Sequence, residues 1–150
     1  MTLNVMRVDE RAVMPTFAHD NGEDACFDIS ALLPDGVDGV EVKPGETVLV
    51  RTGLVFDPEP GYSVRIHVRS SIGFKRHLIM SNCTGVIDNG YRGEVMIALT
   101  NIGDTVSRIE AGERVCQGEV VKDRHVVIRE VDSVTCSARG AGGIGSTGRM

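Results

Sequence analysis

Apolar residues in this chain recur at every second position. In Tyr62-Ser63-Val64-Arg65-Ile66-His67-Val68, Val64, Ile66 and Val68 alternate with polar neighbours. Such a strand has one face in a core and the other toward solvent or a neighbouring subunit. The same period predicts strands over 3–8, 37–42, 47–55, 94–101, 114–121 and 125–131. Turn-forming clusters separate them, among them Pro34-Asp35-Gly36, Lys43-Pro44-Gly45, Pro58-Glu59-Pro60-Gly61 and Glu110-Ala111-Gly112-Glu113. Short strands punctuated this regularly predict a β-sandwich or closed barrel. One helix of one or two turns is predicted over 72–77, after Ser70-Ser71, with Gly73 weakening it.

Composition narrows the class. A chain of 150 residues with 41% hydrophobic and 25% charged residues is the size and make-up of one globular domain. The net charge of −5 argues against a general nucleic-acid binder, which needs a basic surface, although a few local arginines could still hold a triphosphate. No apolar run is long enough to cross a bilayer, and Met1-Thr2-Leu3-Asn4 opens directly into a strand pattern without a leader, so a cytoplasmic protein is expected. Cys26, Cys83, Cys116 and Cys136 are widely spaced, without a Cys-x-x-Cys pair or a histidine at zinc-ligand spacing. The expectation is four reduced, mostly buried thiols and no protein-built metal site. After Ala138 the chain turns to Gly, Ser, Thr and Arg, which build no core and cost much entropy to order.

Two stretches carry chemistry. In Thr84-Gly85-Val86-Ile87-Asp88-Asn89-Gly90-Tyr91-Arg92-Gly93-Glu94, Asn89-Gly90 predicts a tight hairpin with positive φ angles, aiming Asp88 and Tyr91 from adjoining strand ends at one small space. An Asp before Asn-Gly is most often a turn former and a Tyr there an ordinary half-buried strand residue. A carboxylate on a rigid turn is equally what a general base requires. Arg69-Ser70-Ser71 offers a cation, hydroxyls and backbone N–H groups to anionic oxygens, or else a simple helix cap beside a surface arginine.

Five stretches in order decide between these readings. Asp24-Ala25-Cys26-Phe27-Asp28-Ile29-Ser30-Ala31, Val68-Arg69-Ser70-Ser71-Ile72-Gly73, the Asp88 stretch, Arg114-Val115-Cys116-Gln117 and the segment from Arg139 to Gly148 resemble the five signature motifs of the trimeric dUTP pyrophosphatases (dUTPases). The resemblance runs nearly from end to end. It departs from the family pattern at Cys26 for Gly, Val68 for Pro, Ser71 for Gly, and Ile144 where many relatives carry a Phe that stacks on uracil.

The resemblance implies an all-β fold: a jelly-roll-type β-barrel over 1–138 with a flexible glycine-rich arm over 139–150. It implies hydrolysis of dUTP to dUMP and pyrophosphate, which limits uracil in DNA and supplies dUMP for dTMP synthesis. Asp88 would be the general base and Tyr91 the platform under the deoxyribose, rejecting a ribose 2′-hydroxyl. Asn82 and the backbone of Gly85, Val86 and Ile87 would receive the uracil. Arg69, Ser70, Ser71 and Gln117 would contact the phosphates, with Arg114 equally readable as a surface charge. Arg139, Gly142, Gly143, Ile144, Ser146 and Thr147 would close over the triphosphate. Asp28 would stand near the water shell of a Mg²⁺ carried by the substrate, an ion that keeps several waters and often binds through phosphate oxygens. A homotrimer with shared sites is implied; a regulatory protein partner is not indicated.

Rival assignments have their own signs. The arm nearly fits the glycine spacing of a phosphate-binding P-loop but lacks its lysine and a following helix. The related dCTP deaminases share the fold but carry a Glu beside an aromatic residue where this chain has Tyr91-Arg92-Gly93. A binding protein that keeps the pocket without catalysis is disfavoured by the intact Asp88 and Arg139.

Overall fold

The computed structural model describes residues 1–19, 22–144 and 146. Eleven strands and one helix follow one another among these residues, β1 (Leu3–Arg7), β2 (Phe27–Ser30), β3 (Gly39–Val42), β4 (Thr47–Arg51), β5 (Leu54–Pro58), β6 (Tyr62–Val68), α1 (Ser70–Arg76), β7 (Leu78–Met80), β8 (Gly85–Ile87), β9 (Met96–Asn101), β10 (Ser107–Glu110) and β11 (Arg114–Lys122). The all-β class with one short helix holds. None of the described helices is long and apolar enough to cross a membrane.

The strands pair antiparallel in four small sheets, ordered β1-β5, β10-β3, β2-β11-β6-β8 and β4-β9-β7. Their inward residues form one core of Ile29, Val42, Val50, Leu54, Phe56, Val64, Ile66, Leu78, Val95, Ile97, Leu99 and Ile109, all essentially inaccessible to solvent. Phe27 meets Phe56 edge-on with ring centroids 5.8 Å apart. Its other neighbour is β11, where a Cβ at Gly118 would lie 2.6 Å from the Phe27 ring, so that position is closed to any side chain. One step up the strand the β2–β11 register slips between Arg114 and Cys116. Consecutive Val115 and Cys116 are therefore both buried, as a bulge allows and strict alternation does not. Burial pushes the Cys116 thiol up to about 12.

The structure departs from period two at identifiable places. Residues 47–55 are two strands, broken where Gly53 takes φ +70°. Residues 125–131 form no strand and are exposed, with Val126, Val127 and Ile128 at 76%, 82% and 91%. β2 escapes the pattern because all four of its residues, Asp28 and Ser30 included, are buried. All four cysteines are free as expected, but only Cys116 is buried; Cys83 and Cys136 are exposed.

Polar side chains also lie inside. Asn101, at 0% exposure, donates from Nδ2 to the carbonyls of Val42 and Thr105, each at 2.8 Å, and accepts from the Gly103 N–H at 2.9 Å. It thereby ties β9 to β3 and to the loop before β10. Asn101→Ala would leave buried backbone groups without partners, so we expect a loss of about 3 kcal/mol in urea unfolding. A loss under about 1 kcal/mol would show that water replaces the amide.

Candidate active site

Asp88 lies one residue beyond β8, exposed at the mouth of a small cavity of about 180 Å³ lined by Val86, Ile87, Asp88, Tyr91, Glu94 and Met96. A second cavity of about 270 Å³ shares Val86, Ile87 and Met96 and adds Asn82, Gly85, Leu49, Met80 and Ser81. All six residues expected at the base, sugar and uracil positions thus line two adjoining hollows around β8. Leu49 joins them from β4, a contribution from distant sequence that no local motif announces, and Met96 from the start of β9.

The turn differs from the hairpin expected. β8 pairs with β6 whereas β9 pairs with β4 and β7, so the segment crosses between sheets. The Tyr91 N–H donates to the Asp88 carbonyl at 3.0 Å, closing a four-residue turn, but neither Asn89 nor Gly90 takes a positive φ. Asn89 serves instead as an anchor: its Nδ2 donates to the carbonyls of Pro58 and Glu59 at 2.7 and 3.0 Å. Arg92 braces the other side, donating to the carbonyls of Asn89 and Tyr91 and pairing with Asp57 at 2.6 Å. The turn that presents Asp88 is fixed to the β5–β6 corner by side chains, not by its own backbone preference.

A second cluster stands on the same four-stranded sheet. Asp28 of β2, 9% exposed, forms an ion pair with Arg69, whose Nε lies 2.8 Å from it, and accepts a hydrogen bond from Arg114 Nη1 at 2.9 Å. Arg69 also donates to the Arg114 carbonyl at 3.1 Å. Gln117 lies between Asp28 and His67 in the strand register, and His67 reaches Glu119 at 3.3 Å. The bulge after Arg114 is what brings that arginine alongside Asp28, and it makes Arg114 part of the cluster, not a detached surface charge. Arg69 itself occupies the N-cap of α1, with no side-chain capping bond, and Ser70 and Ser71 are the first two helical residues, both exposed. The helix therefore starts two residues earlier than predicted. Cys26, two residues before Asp28, has its thiol pushed up by burial and by the Glu119 and Asp28 charges, which keeps it neutral.

The two clusters do not meet. Asp28 is level with His67 across β11, while Asp88 falls level with Ser63 beyond β8. Three strand spacings across and four residues along the sheet put the backbone positions of these two residues about 20 Å apart over the sheet. The arm is a third group. Its hydrogen bonds are local, from Arg139 Nε to the Gly142 carbonyl at 2.9 Å, from the Gly142 N–H to the Arg139 carbonyl at 3.1 Å and from the Ser146 N–H to the Gly143 carbonyl at 3.1 Å. Ile144 is fully exposed, and Thr147 lies outside the described residues.

No group of three or more His, Cys, Asp or Glu among the described residues is placed to hold a metal. Asp28 nevertheless suits an indirect role, since with one arginine against each oxygen its carboxylate stays charged and keeps lone pairs for water.

Residues 12–148 match the family model for dUTPase. The deoxyuridine 5′-triphosphate nucleotidohydrolases of Solibacter usitatus and Nautilia profundicola are each 36% identical to the chain, covering 99% of it and 97% and 100% of their own lengths. Among solved structures, Staphylococcus bacteriophage 80alpha dUTPase with dUPNHPP superposes with a TM-score of 0.84 at 27% identity, over 98% of both chains. A variant of the dUTPase from phage phi11 of S. aureus, described with a structural Mg(II) ion, shares the fold with a TM-score of 0.77 at 22% identity, over 91% of this chain and 100% of its own. On a match along nearly its whole length, in sequence and in fold, this chain belongs to the dUTPase family.

Proposed function

We propose that the chain, a dUTP diphosphatase by family, hydrolyses dUTP at sites completed only where copies of it meet, in a homotrimer of jelly-roll barrels. The separation of about 20 Å between Asp28 and Asp88 carries this reading. A base reaches its proton over about 3 Å, and the water it activates must lie against the phosphate chain that the arginines hold. One barrel supplies the base, sugar and uracil positions at one place and the phosphate cations at another. A second copy brings them together. The exposed Val126, Val127 and Ile128 and the detached arm, both beyond the last strand, are likewise surfaces that a neighbour would cover.

Within such a site Asp88 accepts the proton of a water whose oxygen bonds to the α-phosphorus. The bond from that phosphorus to the bridging oxygen breaks, and pyrophosphate leaves. Arg69, Ser70, Ser71 and Gln117 hold the phosphates, and Arg139 with the N–H groups of the arm replaces the water around them as charge shifts in the transition state. Mg²⁺ carried on the triphosphate would neutralise its charge, with Asp28 hydrogen-bonded to the ion's waters. Asn82 and the β8 backbone receive uracil, while the Tyr91 ring lies under the sugar, where a 2′-hydroxyl would lose solvation without gaining a partner. Release of dUMP serves dTMP synthesis and removal of dUTP keeps uracil out of DNA. A cytoplasmic setting belongs to the same reading, and four unpaired cysteines agree with it.

Asp88→Asn keeps the shape of the turn but not the proton acceptor, so kcat for dUTP is expected to fall by about 10²–10⁴ with binding of a non-hydrolysable dUTP analogue little changed. Turnover near that of the unaltered protein would remove Asp88 from the base role. A chain ending at Ala138 loses only Ile144 and Met150 as large apolar residues, so its melting temperature should move by no more than about 3 °C. Its hydrolysis of dUTP should nevertheless drop by roughly 10² or more. Equal rates with and without residues 139–150 would leave the arm without a catalytic part.

A further inference from the structure

Tyr91 is 44% exposed, so packing alone does little to hold its ring. Two features do hold it. Its hydroxyl donates to the Glu94 carbonyl at 3.0 Å, and the ring lies over Gly93 so closely that a Cβ there would stand 2.4 Å from Oη and 2.6 Å from Cζ. The direction of the ring therefore depends on where the backbone at 93–94 is fixed.

Glu94 is fixed by a part of the chain forty residues away. Arg51 Nε–H lies 3.1 Å from both carboxylate oxygens, and the Gly53 N–H donates to one of them at 2.7 Å. The neighbouring residue is tied as well, with the Thr52 hydroxyl donating to the Val95 carbonyl at 2.7 Å and the Val95 N–H to the Leu54 carbonyl at 2.8 Å. Gly53 is closely packed, with no room for a side chain. It takes φ +70°, and a Cβ on it would lie 2.7 Å from Ala12 Cβ and Leu32 Cδ2. Arg51 is steadied in turn by Asp9, 3.6 Å away, which Arg11 holds at 2.8 Å.

We propose that the Arg51–Glu94 ion pair is a strut for the Tyr91 ring, that Gly93 is the gap the ring requires, and that the three together set the preference for deoxyribose over ribose. The proposal rests on Tyr91 being the sugar platform. Arg51 and Glu94 are positioning residues: they act on the substrate only through the backbone carbonyl that receives the Tyr91 hydroxyl. A pair that merely stabilised the β4–β5 corner would change the handling of dUTP and UTP alike. A strut changes their ratio.

The chain has no Trp and two Tyr, so in a Tyr62→Phe background the intrinsic fluorescence reports Tyr91 alone. In that background, Arg51→Gln and Gly93→Ala are each expected to speed the anisotropy decay of Tyr91, in protein whose thermal unfolding remains cooperative. In the unaltered background, Arg51→Gln, Glu94→Gln and Gly93→Ala should each lower the ratio of kcat/KM for dUTP over UTP by roughly fivefold to tenfold, the loss of one oriented hydrogen bond. Arg51→Lys, which keeps the charge, should recover part of it. In Tyr91→Ala protein, whose ratio is already low, Arg51→Gln should lower it no further. An unchanged anisotropy decay in Arg51→Gln overturns the strut whatever Tyr91 does. A Tyr91→Ala protein that keeps the full dUTP preference, with the decay altered as expected, overturns the sugar-platform reading and with it the link from strut to selectivity. A ratio that falls equally in the presence and absence of the Tyr91 ring overturns the claim that Arg51 acts through Tyr91.

Discussion

Strand β11 is hydrogen-bonded on both sides, to β2 and to β6, and the slip in its register after Arg114 governs the cluster of Asp28, Arg69 and Arg114. With the bulge, Val115 and Cys116 both enter the core and Arg114 turns to Asp28. Asp28 then holds two arginines from two different elements on one nearly buried carboxylate, so its charge does not go unpaired. The glycine at 118 is the matching constraint from inside, since the Phe27 ring occupies the space that any side chain there would need. Core packing and site geometry are the same fact along this strand.

The opposite edge of that sheet shows a different solution. β8 is only three residues long, and the turn after it is held by Asn89, Arg92 and the Arg51–Glu94 pair, each reaching to the β4–β6 region. Such side-chain bracing allows Asp88 to remain exposed and yet presented in one direction. It also leaves β8, Leu49, Val86 and Met96 as an apolar rim at the surface of the barrel, which agrees with a site that a neighbouring copy covers.

Much of this is legible in the sequence, and the failures have physical causes. Val64, Ile66 and Val68 announce β6 because the other face of it carries the exposed Arg65; Phe27-Asp28-Ile29-Ser30 does not announce β2 because both faces are covered and the buried Asp28 is paired with arginines from elsewhere. The motif residues around Asp88 line two adjoining hollows, yet Asn89-Gly90 misleads about backbone shape, since a side-chain anchor to Pro58 and Glu59 overrides the usual preference of that pair. Residues 125–131 have the composition of a strand but no strand partner among the described residues. Arg51 and Gly93 are invisible as site residues because their roles depend on a contact forty residues apart and on the seat of a ring.

That one barrel holds only part of the site is the central claim, and mixing two defective chains tests it most directly. Asp88→Asn protein retains its arginine cluster, and Arg69→Gln protein retains its base; each alone should be nearly inactive. Unfolded together in denaturant and refolded as mixed assemblies, they should regain activity, with about a quarter of the sites drawing an intact base from one chain and an intact cluster from the other. Mixed assemblies, verified by a tag on one chain, that stay as inactive as either parent would contradict the account and return the whole site to a single barrel.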